Sequence, residues 1–212
     1  MLSTSRTTAS RKKTFLAIHA QAWLNKFRSS REIKNLQFDD METFEHTKCK
    51  PLSITLAVEK RTRLIIGFKV ASMPAKGLLV KKAMKKYGPR RDERKKKRIE
   101  LFNEIKDCIK EDACIESDQN PHYEPDVRTH FPKATYQRYK GRRGCVVGQG
   151  ELKRGGFDPL FSLNHTCAML RANISRLFRR TWCTTKKPWG LEEHIAIYAK
   201  SHNQRILAKL AA

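Results

Sequence analysis

Two aspartates at strand-like positions are the residues of this chain best suited to metal chemistry. Asp39 lies in the segment Leu36–Glu45, and Asp118 ends the short apolar run Ala113–Asp118. Asn120-Pro121 then turns the chain. A carboxylate that projects from a rigid strand can hold a divalent metal ion, and paired metal ions activate the oxygens of a phosphodiester displacement. The two aspartates therefore predict metal-dependent chemistry on phosphodiesters.

The charge of the chain indicates a polyanionic partner. Its 212 residues include 45 Lys and Arg against 21 Asp and Glu, a formal net charge of +24. Cations in such excess release counterions when they contact phosphates, so nucleic acid is the expected partner. A ribosomal or nucleoid protein has the same balance, and charge alone does not choose among these functions.

The sequence gives little support for a membrane protein or for a zinc site with cysteine ligands. The longest apolar runs, such as Leu64–Phe68, are far too short to cross a bilayer. The six cysteines are scattered without a Cys-x-x-Cys pair, and no signal peptide is recognisable, which favours reduced thiols in an intracellular protein. His46 with Cys49 and His165 with Cys167 lack the four-ligand spacing of structural zinc.

The apolar patterns predict alternating blocks of strands and helices. Three β-rich runs separated by short polar turns favour an antiparallel meander: Leu36–Glu45, Leu52–Val58 and Leu64–Ala71. Later strands are expected at Ala113–Asp118 and Ala134–Tyr139. Helices are expected at Thr14–Phe27, at Ala75–Tyr87, from there to about Lys110, after Asp158-Pro159, and near Pro188–Ser201. This order predicts an α/β fold with a ribonuclease H-like mixed sheet, three antiparallel strands then parallel strands, and flanking helices.

Two basic segments are candidates for contact with phosphates. Twelve basic residues and two acids lie between Lys76 and Arg98, a run that is either a solvated face or a phosphate-contacting surface. The loop from Lys140 to Gly156 holds six of the ten glycines, and its cations are expected to grip a nucleic-acid backbone. Those cations include Arg142, Arg143, Lys153 and Arg154.

The helix after Asp158-Pro159 places polar residues beside an apolar face. Asp158 is expected as N-cap and Pro159 as first helical residue. The core face carries Leu163, Cys167, Leu170, Ile174 and Leu177. Asn164 and Arg171, seven residues apart, share a neighbouring face, so both can look into one site.

Three motifs in this order resemble the catalytic region of the smallest bacterial DDE-type insertion-sequence transposases, such as those of the insertion-sequence-one family. The motifs are Phe38-Asp39-Asp40-Met41-Glu42-Thr43-Phe44-Glu45-His46-Thr47-Lys48, Ser117-Asp118-Gln119-Asn120-Pro121-His122-Tyr123, and Leu163–Arg171 followed by Arg176–Thr181. The resemblance covers about Leu36 to Asn203. It implies cleavage and strand transfer of DNA with Mg²⁺ or Mn²⁺, in a bacterial cytoplasm beside the nucleoid and by a homo-oligomer.

By the same resemblance, Asp39 and Asp118 hold the metal ions and Arg171 contacts a phosphate. The third ligand falls at Asn164, where an amide oxygen stands in place of an acid and brings no negative charge. Asp158 and Glu193 are alternative sources of the third carboxylate. Asp40 competes with Asp39, because successive strand residues face opposite sides of a sheet.

The expected domains are a basic helical segment over residues 1–35, a catalytic domain over 36–203 and a tail over 204–212. The first helix either binds DNA, as the remnant of a helix-turn-helix, or covers the domain. The resemblance implies that full-length members of this family have a zinc ribbon and a helix-turn-helix ahead of the catalytic domain. The alternative function is a decayed transposase remnant, or a basic nucleic-acid-binding protein without enzymatic activity.

Overall fold

A five-stranded mixed sheet forms the centre of the computed structural model, which describes residues 5–140, 157–177 and 184–211. Its strands are β1 (Ile33–Phe44), β2 (Pro51–Glu59), β3 (Ile65–Ser72), β4 (Ile109–Asp118) and β5 (Thr135–Tyr139). They lie in the order β3-β2-β1-β4-β5. The pairs β1–β2 and β2–β3 are antiparallel, whereas β1–β4 and β4–β5 are parallel. The predicted α/β class is confirmed, and the sheet is consistent with a ribonuclease H-like arrangement.

Six α-helices flank the sheet in the described ranges: α1 (Arg6–Ser29), α2 (Leu79–Tyr87), α3 (Arg94–Ile105), α4 (Tyr123–His130), α5 (Phe161–Asn173) and α6 (Pro188–Leu210). One face of the sheet is covered by α5 and α6, with α1 packed along α6, and the other by α3 and α4. Because β2 is covered on both faces, Leu52–Val58 is an uninterrupted buried run. None of the helices in these ranges is long and apolar enough to span a membrane.

Edge strand β3 is protected by side chains from the helices. The amide of Asn203 in α6 accepts from the backbone N–H of Ile65 at 2.8 Å and donates to its carbonyl at 2.8 Å. Arg28 of α1 donates to the carbonyl of Ile66 at 3.2 Å. These bonds satisfy backbone groups that an edge strand otherwise leaves open to pairing with another chain.

Several element boundaries differ from the predicted ones. Helix α2 begins at Leu79 instead of Ala75, because Gly77 takes a left-handed conformation with φ of +57° just before it. Helix α3 ends at Ile105, and the expected continuation to Lys110 is wrong: Ile109 starts β4 and pairs with Ile33 of β1. Sheet pairing therefore overrides the helical spacing of Ile109.

Two further differences concern the later part of the chain. Helix α4 was not expected from the sequence at all. Helix α6 extends from Pro188 to Leu210, nine residues beyond the expected end at Ser201, so residues 204–210 of the expected tail are helical. Helix α1 is longer than expected, and it buries Ala17, Ala20, Leu24 and Phe27 against the domain.

Candidate metal centre

The candidate site begins where two parallel strands present acids on the same face. Strands β1 and β4 pair with Gln37 opposite Glu116. Because strand side chains alternate, Asp39 and Asp118, two residues farther along each strand, project from the same face as that pair. The two carboxylates are close enough for their charges to interact.

Asp39 occupies a partly buried position that disfavours its charged form. Burial first, and then the charge of Asp118, raise the pKa of the Asp39 carboxyl to about 7. Two hydrogen bonds oppose this shift: Asp39 Oδ1 accepts from the hydroxyl of Tyr123 at 2.9 Å and from the backbone N–H of Asp40 at 2.7 Å. With Oδ1 engaged by two donors, Oδ2 is the oxygen left for a ligand.

Asp118 ends β4 in a turn that its own side chain stabilises. Its Oδ1 accepts from the backbone N–H of Asn120 at 2.9 Å. Within residues 5–140, 157–177 and 184–211, neither Asp39 nor Asp118 forms an ion pair. In a chain with a net charge of +24, two neighbouring acids without a cationic partner suit an external cation.

Asp40 belongs to a different cluster. Its carboxylate accepts from the hydroxyl of Thr55 at 2.5 Å and lies 3.8 Å from Arg98. Arg98 is buried and donates to Asp126 at 2.5 Å and to the carbonyl of His122 at 3.1 Å. Of the two aspartates that competed for the site, Asp39 is therefore the one without a cation, and Asp40 takes part in a structural network.

A polar pair beneath the two acids holds the start of α5 against the sheet. Gln37 Nε2 donates to Glu116 at 2.7 Å and to the carbonyl of Pro159 at 2.8 Å. Its Oε1 accepts from the backbone N–H of Leu163 at 3.1 Å. Glu116, itself buried, also accepts from Lys60 at 2.5 Å. These bonds set the position at which α5 crosses β1.

Helix α5 passes beside Asp39 with three residues on one face. Asn164, Cys167 and Arg171 stand at positions i, i+3 and i+7. Burial raises the pKa of the Cys167 thiol to about 12, and the charges of Arg171 and Asp39 both act on that thiol. Cys167 thus lies within electrostatic range of both predicted site residues, and Arg171 is exposed in the last turn of the helix.

The amide of Asn164 is oriented by a neighbouring acid. Its Nδ2 donates to Asp158 Oδ2 at 3.0 Å, while Asp158 Oδ1 accepts from the backbone N–H of Leu160 at 2.9 Å. The prediction of Asp158 as N-cap and Pro159 as first helical residue is wrong, because α5 begins at Phe161 and Asp158 stabilises the turn before it. Asn164 Oδ1, the oxygen suited to a metal ion, is the end of the amide that does not face Asp158.

The two alternative acids have different surroundings. Glu193 lies in α6 against α1, where it accepts from Thr14 at 2.7 Å and pairs with Lys13 at 2.5 Å. Asp158 stays beside Asn164. Of the two, Asp158 is the acid that the fold keeps near the predicted third ligand.

The donor set suits a hard divalent cation. In the described part of the chain, no three His, Cys, Asp or Glu side chains are grouped to hold a metal ion. The candidate centre therefore has two acids, Asp39 and Asp118, and the amide oxygen of Asn164 is the third protein ligand that the sequence predicts. Carboxylate and amide oxygens are ligands of Mg²⁺ and Mn²⁺, whereas thiolate and imidazole are absent from this set.

Four predicted DNA contacts, Arg142, Arg143, Lys153 and Arg154, lie outside the described residues. Conversely, three residues that hold the site together were not predicted: Gln37, Glu116 and Tyr123. The first two carry a signal in the sequence, since a Gln and a Glu two residues before the aspartates continue the same strand face. Tyr123 carries none beyond its place after Asn120-Pro121, because its contact depends on the unpredicted helix α4.

No model of a known protein family matches this chain, and no curated protein matches it either.

Proposed function

We propose that this chain is a DDE-type transposase, with an amide as third ligand, that cleaves DNA and transfers its strands with Mg²⁺ or Mn²⁺. The carrying observation is the pair Asp39 and Asp118 on adjacent parallel strands of a ribonuclease H-like sheet, coupled in charge and without a cation in the described residues. The DNA of an insertion sequence is the proposed substrate, the bacterial cytoplasm the proposed location, and a homo-oligomer the active form, since strand transfer joins two element ends to a target.

The chain's own residues divide the work of such a site. Asp39 Oδ2, Asp118 and Asn164 Oδ1 would hold the metal ions, which when bound activate the attacking oxygen and neutralise charge on the phosphate. Tyr123 holds Oδ1 of Asp39, so that one carboxylate oxygen stays in place for the ligand role. Asp158 does the same for Asn164 by accepting from its Nδ2. Arg171, exposed in the last turn of the same helix, would contact a DNA phosphate.

The second candidate is a catalytically decayed remnant that still binds DNA. The observation in its favour is Asn164 itself, because an amide supplies no negative charge and holds a second metal ion less tightly than an acid. The remnant and the enzyme share the fold and the basic surface, and they differ in whether the acid pair binds metal and cleaves DNA.

Cleavage of DNA by purified full-length protein separates the two. We expect Mn²⁺-dependent nicking of supercoiled plasmid by the wild type and its loss in Asp39→Ala and in Asp118→Ala. The matched control is Asp112→Ala, an exposed aspartate on the same strand as Asp118, near its opposite end. Equal nicking by the wild type and both site variants would contradict the catalytic assignment and favour the catalytically inactive remnant.

A second assay addresses strand transfer. A labelled duplex with a free 3′-hydroxyl is incubated with plasmid and Mn²⁺. Joined products are expected with the wild-type protein and not with Asp39→Ala or Asp118→Ala. Inverted repeats flanking the gene would provide the natural sequence for that duplex. Nicking without joining would restrict the activity to a nuclease.

A further inference from the structure

The charge run between Lys76 and Arg98 divides into two sets once its partners are known. Five of its twelve cations form ion pairs: Lys76 with Glu42, Arg90 with Glu45, Arg94 with Asp92, Lys97 with Glu100 and Arg98 with Asp126. The other seven are exposed and form no ion pair in the described ranges; they are Arg91 and six lysines. We call the six lysines the α2–α3 ridge: Lys81, Lys82, Lys85, Lys86, Lys95 and Lys96.

Four of these lysines form one face of α2. Lys81, Lys82, Lys85 and Lys86 follow the spacing i, i+1, i+4 and i+5, which groups them on one side of a helix. Because none has an acidic partner, the four charges repel one another in the free protein. A surface so arranged is stabilised by an external polyanion.

Helix α2 contributes little to the core. It has nine residues and buries one side chain, Ala83, while Val80, Met84 and Tyr87 stay largely exposed. Helices shorter than about 12 residues are marginal in water without tertiary packing. A short helix that buries so little and carries four unpaired lysines is better explained by contact with a partner than by packing.

The ridge lies at the same end of the sheet as the candidate metal centre. Strands β1, β3 and β4 run in the same direction, so their carboxyl ends lie at the same end of the sheet. Asp118 ends β4 there, and α2 follows the end of β3. A cleft of about 370 Å³ lies beside the ridge, with Lys95 and Arg94 on one side and Asn120 and His122 on the other. Asp40 lines this cleft, so the cleft lies on the face of the sheet opposite to Asp39.

We propose that the α2–α3 ridge binds the phosphate backbone of duplex DNA at the end of the sheet where Asp118 ends β4. The proposal deepens the function given above and rests on it for the choice of DNA as the polyanion. Charge complementarity favours this partner, since exposed lysines without acidic partners contact phosphates without reading base sequence. Binding through this surface is therefore independent of sequence and strongly dependent on salt.

The test compares two fourfold variants of the full chain that lose the same charge. The ridge variant carries Lys81→Gln, Lys82→Gln, Lys85→Gln and Lys86→Gln. The control variant carries Lys26→Gln, Lys34→Gln, Lys106→Gln and Lys209→Gln. The control lysines are also exposed and unpaired among described residues, but they lie at the end of the sheet where β1, β3 and β4 begin.

Affinity for a short fluorescent DNA duplex of mixed sequence is measured in EDTA over a range of salt concentrations. The ridge variant is expected to bind roughly tenfold more weakly or worse, with a salt slope lower by about 0.9 for each lost phosphate contact. The control variant is expected to keep the wild-type affinity and slope. A Lys→Arg version of the ridge should restore binding, and circular dichroism checks that each variant is folded.

Each other outcome overturns the proposal. If the ridge variant binds DNA as tightly as the wild type, the ridge does not bind DNA. If both variants lose the same affinity for DNA, binding depends on the overall charge and not on the ridge. Loss of binding to phosphatidylserine vesicles with DNA affinity intact would assign the ridge to a membrane surface instead.

Failure of the ridge and failure of the proposed function are distinguishable, because binding is measured without metal and nicking requires Mn²⁺. A wild-type protein that binds through the ridge and never nicks overturns the catalytic proposal alone. A wild-type protein that nicks, while the ridge variant binds as tightly as the wild type, overturns the ridge alone.

Discussion

The hydroxyl of Tyr123 donates a hydrogen bond of 2.9 Å to Oδ1 of Asp39, and so joins a helix on one face of the sheet to the candidate metal centre. The ring of Tyr123 is fully buried against Phe38, with the guanidinium of Arg98 4.9 Å from its centre. Because the ring cannot move away, the hydroxyl holds one rotamer of Asp39. The site thus depends on a residue that contacts no ligand.

Replacing Tyr123 with Phe should weaken the metal site while preserving the core. The hydrogen bond from Tyr123 lowers the pKa of Asp39 against the larger effect of burial, so its loss raises that pKa further. A hydrogen bond to a charged group contributes about 1.5 kcal/mol, so the pH midpoint of Mn²⁺ binding should rise by roughly one unit. Calorimetric Mn²⁺ titrations at several pH values measure this shift.

Tyr136→Phe is the matched control, because the Tyr136 hydroxyl bonds to Ser117, next to Asp118, at 2.6 Å. It should leave the midpoint of Mn²⁺ binding unchanged. A Tyr123→Phe protein with the wild-type midpoint would show that the hydroxyl does not act on Asp39.

Asp39→Asn should stabilise the metal-free protein at high pH. The pKa of Asp39 is about 7 in the folded protein, against an ordinary value of 3.8. The folded state therefore keeps a proton that the unfolded state releases between these values, and the free energy of unfolding falls as pH rises through that window. Asn has no such proton and can still accept from Tyr123.

The gain in unfolding free energy at pH 8 has an upper limit of about 4 kcal/mol, which partial solvent contact reduces to roughly 2 kcal/mol. At pH 4 the variant and the wild type should be equally stable. Urea unfolding at both pH values in EDTA measures the difference. Added Mn²⁺ should then stabilise the wild type more than the variant, and a gain that is the same at both pH values would contradict the assigned cause.

The sheet was predictable because each of its strands is a separate apolar run with turn residues at its ends. Leu52–Val58, for example, reads as a strand covered on both faces, and it is one. Helix α4 was missed because eight residues with Pro125 inside show no helical period. Its signals are the acids Glu124 and Asp126 in the first turn and the basic Arg128 and His130 in the last.

The site was predictable only as residue types in order. That Asp39 and Asp118 stand on neighbouring strands follows from the fold class. The resemblance favoured Asp39 over Asp40, but only the structure shows that Asp40 lies beside Arg98. The bond between Asn164 and Asp158 was beyond sequence reasoning, which started the helix at Pro159, two residues too early, with Asp158 as its N-cap. Contacts between side chains six residues apart depend on where a turn ends and a helix begins, and propensity leaves that boundary uncertain by a few residues.

Asn164→Asp should strengthen metal binding and weaken the metal-free fold. The new carboxylate adds a negative charge to the ligand set, so Mn²⁺ affinity should rise by about tenfold or more. It also faces Asp158, whose Oδ2 accepts from Asn164 Nδ2 at 3.0 Å, and loses that hydrogen bond. The metal-free protein should lose about 1–2 kcal/mol of unfolding free energy.

The double variant Asn164→Asp, Asp158→Asn restores a donor between the two positions. It should recover the lost stability and keep the added charge at residue 164. Calorimetry with Mn²⁺ and urea unfolding in EDTA measure the two effects separately. A single variant with unchanged Mn²⁺ affinity would exclude residue 164 as a ligand.

Arg98 should be the most costly cation of the basic run to remove. It is buried, donates to Asp126 through two nitrogens at 2.5 and 2.8 Å, and lies 3.8 Å from Asp40. Arg98→Met leaves two carboxylates without their cation, and breaking a buried pair in this way costs about 3–5 kcal/mol. Arg94→Ala, which breaks the more exposed pair with Asp92, should cost less than about 1 kcal/mol.

Urea unfolding of Arg98→Met, Arg94→Ala and the double variant Arg98→Met, Asp126→Asn separates the loss of a partner from the loss of the pair. The double variant should regain part of the stability, because it removes the orphaned charge of Asp126 along with its cation. Asp40 keeps its bond to Thr55 in each variant, so the remaining deficit reports the electrostatic contribution of Arg98 to that carboxylate and its packing on Tyr123. An Arg98→Met protein as stable as Arg94→Ala would mean that the cluster beneath the candidate site does not stabilise the fold.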